Sequence, residues 1–257
     1  MILTDGGKFM AGHSKWANIK HRKAKVDAQR GKIFTKIARE MMVAVKHGGP
    51  DPEANSTLKL IIQKAKEANM PNDNIQRAIQ KGSGNAEGVN YEEIRYEGYG
   101  PEGIAVLMKI LTENRNRTAG EIRHIFSKNG GNLGETGCVA WIFENKGLIS
   151  FEMGSRDEEE LMMLLIEAGA DDFTIQDNVV EITTDVENFS AIKGKLEAEQ
   201  INFNIAEMTM LPQNTVTINN METAVQVMKL MDLLDDHDDV QAVYANYDIP
   251  DEIMSKI

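Results

Sequence analysis

Between Lys32 and His47, apolar side chains recur at helical spacing. At 100° per residue, Ile33, Phe34, Ile37, Met41, Ala44 and Val45 share an arc of about 120°, and Lys32, Lys36, Arg39 and Lys46 share an opposite arc of about 80°. The pattern predicts a helix with one packing face and one basic stripe. Gly48-Gly49-Pro50 should stop it. Asp51 is the expected N-cap of a second helix, with Pro52 at its first helical position and Leu58, Ile61, Ile62 and Ala65 facing inward. Pro71-Asn72 interrupts again. Ile75, Ala78 and Ile79 mark a third, short helix ending at Gly82, and GSGNAEG (82–88) reads as a linker.

From Tyr91 the period shortens. Strands are expected over 91–100 and 103–112, turned at Pro101-Glu102-Gly103, then a helix over 115–127 capped by Asn114 or Thr112. GGNLGETG (130–137) reads as a loop. Strands follow near 138–143 and 147–153, a helix near 157–168, strands near 172–176 and 179–184, a helix near 186–199 and a strand near 203–211. After Pro212 come a strand at 215–219, a helix at 221–235 and a strand at 240–247. The order leaves open whether the two α+β units are sequential or one is inserted in the other. Two strands rarely hold a core, and the strand–helix–strand segment 215–247 can complete the pair at 91–112, which favours insertion. The expectation is therefore an α+β multidomain chain: an N-terminal three-helix domain (10–88), a discontinuous α+β domain (89–137 and 212–257) and a third, inserted α+β domain (138–211), both of the latter with antiparallel sheets. MILTDGGKF (1–9) reads as an extension ahead of Met10.

Charge sharpens this division. The chain has 257 residues, 28 Lys+Arg, 40 Asp+Glu and a net charge of −12. Residues 10–85 hold 15 Lys+Arg and 6 Asp+Glu, a net of +9; residues 1–9 hold one of each; the remainder holds 28−15−1 = 12 basic and 40−6−1 = 33 acidic residues, a net of −21. A basic module joined to an acidic body points to a polyanionic partner for the former. One cysteine, Cys138, excludes an internal disulfide and a cysteine-based zinc site, and its setting GCVAWIF reads as a buried core thiol. No apolar run reaches 18 residues, so no membrane span is expected. The start lacks a secretory pattern, and the expected location is cytoplasmic.

Enzymatic signatures are not legible. GGNLGETG lacks the strand before it and the Lys-Ser/Thr after it that phosphate loops use. DDHDD (235–239) gathers carboxylates around His237, but without calcium-loop spacing. Arg115, Arg117 and Arg123 can meet phosphate or pair with neighbouring acids. The expectation is no catalysis, no cofactor and no metal. The basic segment remains: lysines and arginines on phosphate release condensed counterions and so bind without sequence selection. The candidate contacts are Lys15, Lys20, Arg22, Lys23, Lys25, Arg30, Lys32, Lys36 and Arg39. His13 can add hydrogen bonding, and Trp16 can stack on a base or fill the helical core.

Four stretches carry a family resemblance: MAGHSKWANIKHRKAKVDAQRGKIFTKIAREM, GGPDPEANSTLKLIIQKAKEANMPNDNIQRAIQKG, YEEIRYEGYGPEGIAV and LTENRNRTAGEIRHIFSKNGGNLGETGCVAW. They resemble the YebC/PmpR family from Met10 onward. The family pattern RKAAQDAKRGK stands here as RKAKVDAQRGK, with Lys25, Val26 and Gln29 departing from it and the local charge kept. The resemblance implies three domains, the third inserted in the second. It also implies a cytoplasmic, DNA-binding transcriptional regulator. Other branches of the family act in translation, so ribosomal RNA on the ribosome is the alternative partner. A protein partner, held through the acidic domains or itself acidic and bound by the basic one, is a further alternative.

Overall fold

A computed structural model of the chain describes residues 30–84, 91–170, 172–176 and 178–257. They form two compact units threaded through one another in sequence. The first takes the described residues up to Ala140 together with Val225–Ala245; the second takes Trp141–Ala224 and Asn246–Ile257.

The first unit opens with α1 (Arg30–Gly48), α2 (Ser56–Glu67) and α3 (Asn72–Ser83). Ile37, Met41, Ala44 and Val45 of α1 are buried against Leu58, Ala65, Ile75 and Ala78, on the face the periodicity assigns to packing. Each large apolar side chain among them contributes about 1.5–3 kcal/mol on burial. Gly49 has φ +83°, the left-handed conformation in which glycine ends a helix without a Cβ penalty. The cap of α2 is Asn55, not Asp51: Asn55 is buried, its Oδ1 accepts from the Leu58 N–H, and its Nδ2 donates to the Ala44 and Gly49 carbonyls. Asp51 instead closes a turn, accepting the N–H of Glu53 on its side chain and that of Asn55 on its carbonyl. Gly82 lies within α3 rather than ending it. A Cβ there would stand 2.8 Å from Val45 Cβ and 3.0 Å from Met42 Cα, so the glycine admits close approach of α1 and α3.

Strands β1 (Glu92–Tyr99) and β2 (Ala105–Thr112) pair antiparallel around the Pro101–Gly103 turn, followed by α4 (Arg115–Lys128). Asn114 caps α4 and the Thr112 hydroxyl accepts the Asn114 N–H, so both expected residues shape this end. The loop at 130–137 contains a short strand, β3 (Asn132–Leu133), paired with β1.

The second unit departs from the expected pattern at its start. Residues 140–142 form a 3-10 turn, and one strand, β4 (Phe143–Glu152), replaces the two expected over 138–153. Then come α5 (Glu158–Ala168), β5 (Asp172–Gln176), β6 (Val179–Thr184), α6 (Phe189–Ala198), β7 (Phe203–Pro212) and β8 (Val216–Thr217). The antiparallel order is β5-β6-β4-β7. Ile149, Phe151, Val180 and Ile182 pack against Leu161 and Leu165 of α5 and Ile192 and Leu196 of α6. These four residues alternate along their strands with the two-residue period of one sheet face, and Leu148, Ile205 and Leu211 form a second buried cluster.

Helix α7 (Met221–Asp235) leads back to β9 (Val240–Ala245) in the first unit, giving the antiparallel order β3-β1-β2-β9. The segment at 215–219 does not join that sheet. Its two-residue strand β8 pairs parallel with β10 (Tyr247–Asp248), and a short helix α8 (Asp251–Met254), not expected from the pattern, follows. The chain is thus α+β and multidomain, with a helical N-terminal region, two antiparallel sheets, and one sheet built from an excursion between strands of the other.

Cys138 is half-buried rather than a core thiol. It sits in a turn organised by the buried Glu97, whose carboxylate accepts the N–H groups of Gly137, Val139 and Ala140 at 2.7, 2.8 and 2.8 Å. Burial alone would raise the Glu97 carboxyl, but the three backbone donors outweigh it and hold the group below the ordinary range. Burial first, and then the Glu97 charge, push the Cys138 thiol up, away from nucleophilic character.

Candidate nucleic-acid interface

Of the candidate contacts, His13, Lys15, Trp16, Lys20, Arg22, Lys23 and Lys25 lie outside the described residues, as does the side chain of Arg30. The GSGNAEG linker falls largely outside them too. Lys32, Lys36 and Arg39 are described, and they form a row along α1 as the helical period requires. They do not face open solvent together. All three meet the acidic segment Asp235–Asp239 at the C-terminal end of α7.

Lys36 Nζ donates to the Asp235 carbonyl at 2.6 Å and stands 3.9 Å from its carboxylate. Lys32 Nζ donates to the Asp236 carbonyl at 3.3 Å and lies 3.8 Å from Asp236 Oδ1. Arg39 Nη1 donates to the Asp238 carbonyl at 2.6 Å and to Asp239 Oδ1 at 3.0 Å. The last carbonyls of a helix carry its negative dipole end, so cations are favoured there. The Lys36 and Arg39 side chains are only 15% and 18% exposed, whereas Lys32 retains 45%. A phosphate reaching Lys36 or Arg39 must therefore displace acidic groups of the chain itself.

Asp239 anchors the arrangement. It is 3% exposed. Its Oδ2 accepts from Arg117 Nη2 at 2.6 Å and from the hydroxyls of Thr118 and Thr112 at 2.7 and 3.1 Å. Burial would raise this carboxyl; the donors from Thr118, Arg117 and Thr112 outweigh it and hold it below the ordinary range. Arg117 also lies 3.6 Å from Glu113 and 3.9 Å from Glu121, so acids of the chain engage it rather than leave it open to phosphate.

His237 completes the cluster. Its Nδ1 accepts the Asp239 N–H at 3.1 Å, so the neutral ring carries its proton on Nε2 and donates to Glu121 at 2.9 Å. Glu121, His237 and Asp239 bring ligand-type atoms within 4.8 Å of one another. Both oxygens of Asp239 and the Nδ1 lone pair already accept from donors within the chain, so a metal at this cluster would compete with those donors.

The α1 stripe leaves out other cations of the helical region. Lys66 of α2 and Arg77 and Lys81 of α3 are exposed, and none enters an ion pair among the described residues. Arg77 and Lys81 stand four residues apart, on one side of α3. That spacing is legible in the sequence, but the denser basic run before it masks so short a pattern.

Two family models match: residues 14–85 match the TACO1/YebC protein N-terminal domain, and residues 91–247 match the TACO1/YebC second and third domain. A protein of Pelotomaculum thermopropionicum named "Probable transcriptional regulatory protein" is 59% identical over 244 residues, covering 94% of this chain and 100% of its own. One of the same name from Halothermothrix orenii is 54% identical over 250 residues, covering 96% and 99%. The crystal structure of a conserved hypothetical protein from Aquifex aeolicus shares 50% identity with a TM-score of 0.75, covering 90% of this chain and 95% of that one. With both family models matched and relatives aligned along almost their whole length, the chain belongs to the TACO1/YebC family.

Proposed function

We propose that this protein is a non-enzymatic, nucleic-acid-binding regulator of gene expression that acts in the cytoplasm, with DNA as its ligand. The observation that carries the reading is the charge division: +9 over residues 10–85 against −21 over residues 86–257. The regulatory names of its relatives support it. The contacts proposed are Lys15, Lys20, Arg22, Lys23, Lys25 and Arg30, with Trp16 available for stacking, joined by the exposed Lys66, Arg77 and Lys81. Lys32, Lys36 and Arg39 belong to the same basic region; Lys32 is partly exposed, and Lys36 and Arg39 become available when the acidic segment yields. The acidic body repels phosphate elsewhere and so limits adventitious binding. Among the described residues no helix is long and apolar enough to cross a membrane.

The test is a titration of the full chain with a 20-base-pair duplex and with a 20-nucleotide RNA at several salt concentrations. Replacing Arg22, Lys23 and Lys25 with alanine should weaken binding and reduce the log–log salt slope for duplex DNA by about 2.7, at about 0.9 for each phosphate no longer neutralised. Unchanged affinity and slope would remove the basic segment from the interface. In cells, crosslinking followed by sequencing of both nucleic acids separates the ligands. Promoter DNA supports the transcriptional reading, and ribosomal RNA replaces it with a translational one.

A further inference from the structure

We propose that the acidic segment Asp235–Asp239 is an autoinhibitory latch, an internal stand-in for a phosphate backbone that occupies Lys32, Lys36 and Arg39 until a polyanion displaces it. The proposal rests on the nucleic-acid-binding reading and adds a regulatory step to it. Three cations in a row on α1 each receive a carbonyl oxygen from the segment, at 3.3, 2.6 and 2.6 Å, and each has a carboxylate of the same segment nearby. A row of oxygens carrying distributed negative charge is what a phosphate backbone offers to the same side chains.

The contacts are arranged to be reversible. Asp235 and Asp236 keep side-chain exposures of 27% and 32%, so both can rehydrate when the lysines leave. Their carboxylates stand 3.9 and 3.8 Å from the lysine nitrogens, longer than a direct hydrogen bond. Release costs Asp239 Oδ1 its Arg39 donor, but Arg117, Thr112 and Thr118 still hold Oδ2, so the carboxylate keeps a guanidinium partner and stays in place while Asp235, Asp236 and Asp238 move away. Release therefore does not leave the buried carboxylate without a cation, the loss that would oppose it most strongly. A binding site that is only fractionally open has its apparent affinity reduced by that fraction, and weakening the latch restores it.

The experiment compares three full-length proteins titrated with the same fluorescent 20-base-pair duplex and 20-nucleotide RNA at low salt. They are the wild type, a latch variant (Asp235→Asn, Asp236→Asn, Asp238→Asn) and a control (Glu158→Gln, Glu159→Gln, Glu160→Gln). The control removes the same charge from the exposed start of α5. The latch variant should bind at least about tenfold more tightly than the control, with circular dichroism confirming that each protein is folded. Equal affinities of the latch variant and the control, with wild type binding measurably, overturn the latch and leave the proposed function standing. If none of the three binds either nucleic acid, the proposed function falls and the latch with it.

Discussion

Two buried carboxylates set the residue-scale chemistry of the first unit. Glu97 accepts three backbone N–H groups, and Asp239 accepts two guanidinium donors and two hydroxyls. Both are held below the ordinary carboxylate range despite burial. For a depressed carboxyl the sign follows directly. The stabilisation is complete above the unfolded value, about 4, and is lost as pH falls through the lower folded value. Unfolding by urea from pH 7 down to pH 2 should therefore show stability falling on the acid side. Glu97→Gln should cost about 2 kcal/mol or more at pH 7, since its amide can no longer accept on both sides. The same variant should show a shallower acid decline than wild type, because one linked group is gone. Equal pH dependence in the two proteins would mean that Glu97 is not a linked group. Neither carboxylate stands out in the sequence. Glu97 lies in YEGYG and Asp239 in DDHDD, and nothing local tells a buried acid from its solvated neighbours. The donors that distinguish them come from 40 to 200 residues away along the chain.

At the element scale, hydrophobic period and capping chemistry account for most of what forms. The α1 packing face, β5, β6 and α5 all lie where the hydrophobic pattern puts them, and Asp157, which the pattern does not single out, caps α5. Where pattern and structure part, the cause is a tertiary contact. Asp51 and Asn55 are both competent caps; Asn55 takes the role because its amide reaches back to two α1 carbonyls. The segment at 138–142 is apolar enough for a strand, but Glu97 gathers its N–H groups into a turn. The basic row lies on one side of α1 as its spacing requires, yet its engagement by a segment 199 residues away cannot be read from helical period. Gly82 offers the test at this scale. With Val45 Cβ and the Met42 backbone within 3.0 Å of any added Cβ, Gly82→Val should push α3 from α1 and destabilise by about 1–3 kcal/mol, read as a lower thermal midpoint. Gly31, which has open space around its Cβ position, should accept alanine without loss. Equal midpoints for Gly82→Val and wild type would show that the helices are not tightly packed there.

At the scale of the whole molecule, charge and connectivity decide the outcome together. The helical region carries +9 over residues 10–85, and everything after it carries −21. Its core is internal to α1, α2 and α3, with Ile37, Met41, Leu58, Ala65, Ile75 and Ala78 packed on one another. A fragment of residues 10–85 is therefore expected to fold as a helical unit, although a core this small is marginally stable. It lacks both the repelling body and the Asp235–Asp239 segment. Two effects then push in the same direction. Removing net negative charge raises the rate of encounter with phosphate, and removing the segment frees Lys32, Lys36 and Arg39. The fragment should bind duplex or RNA at least as tightly as the full chain, while residues 89–257 alone should bind neither. Adding the latch substitutions to the full chain should recover part of the difference. The remainder measures repulsion by the body, which high salt should suppress first because it acts over more than a Debye length. Circular dichroism of the fragment and titrations at two salt concentrations make the comparison. A folded fragment that binds more weakly than the full chain would assign binding surface to the acidic body and reverse this division of labour.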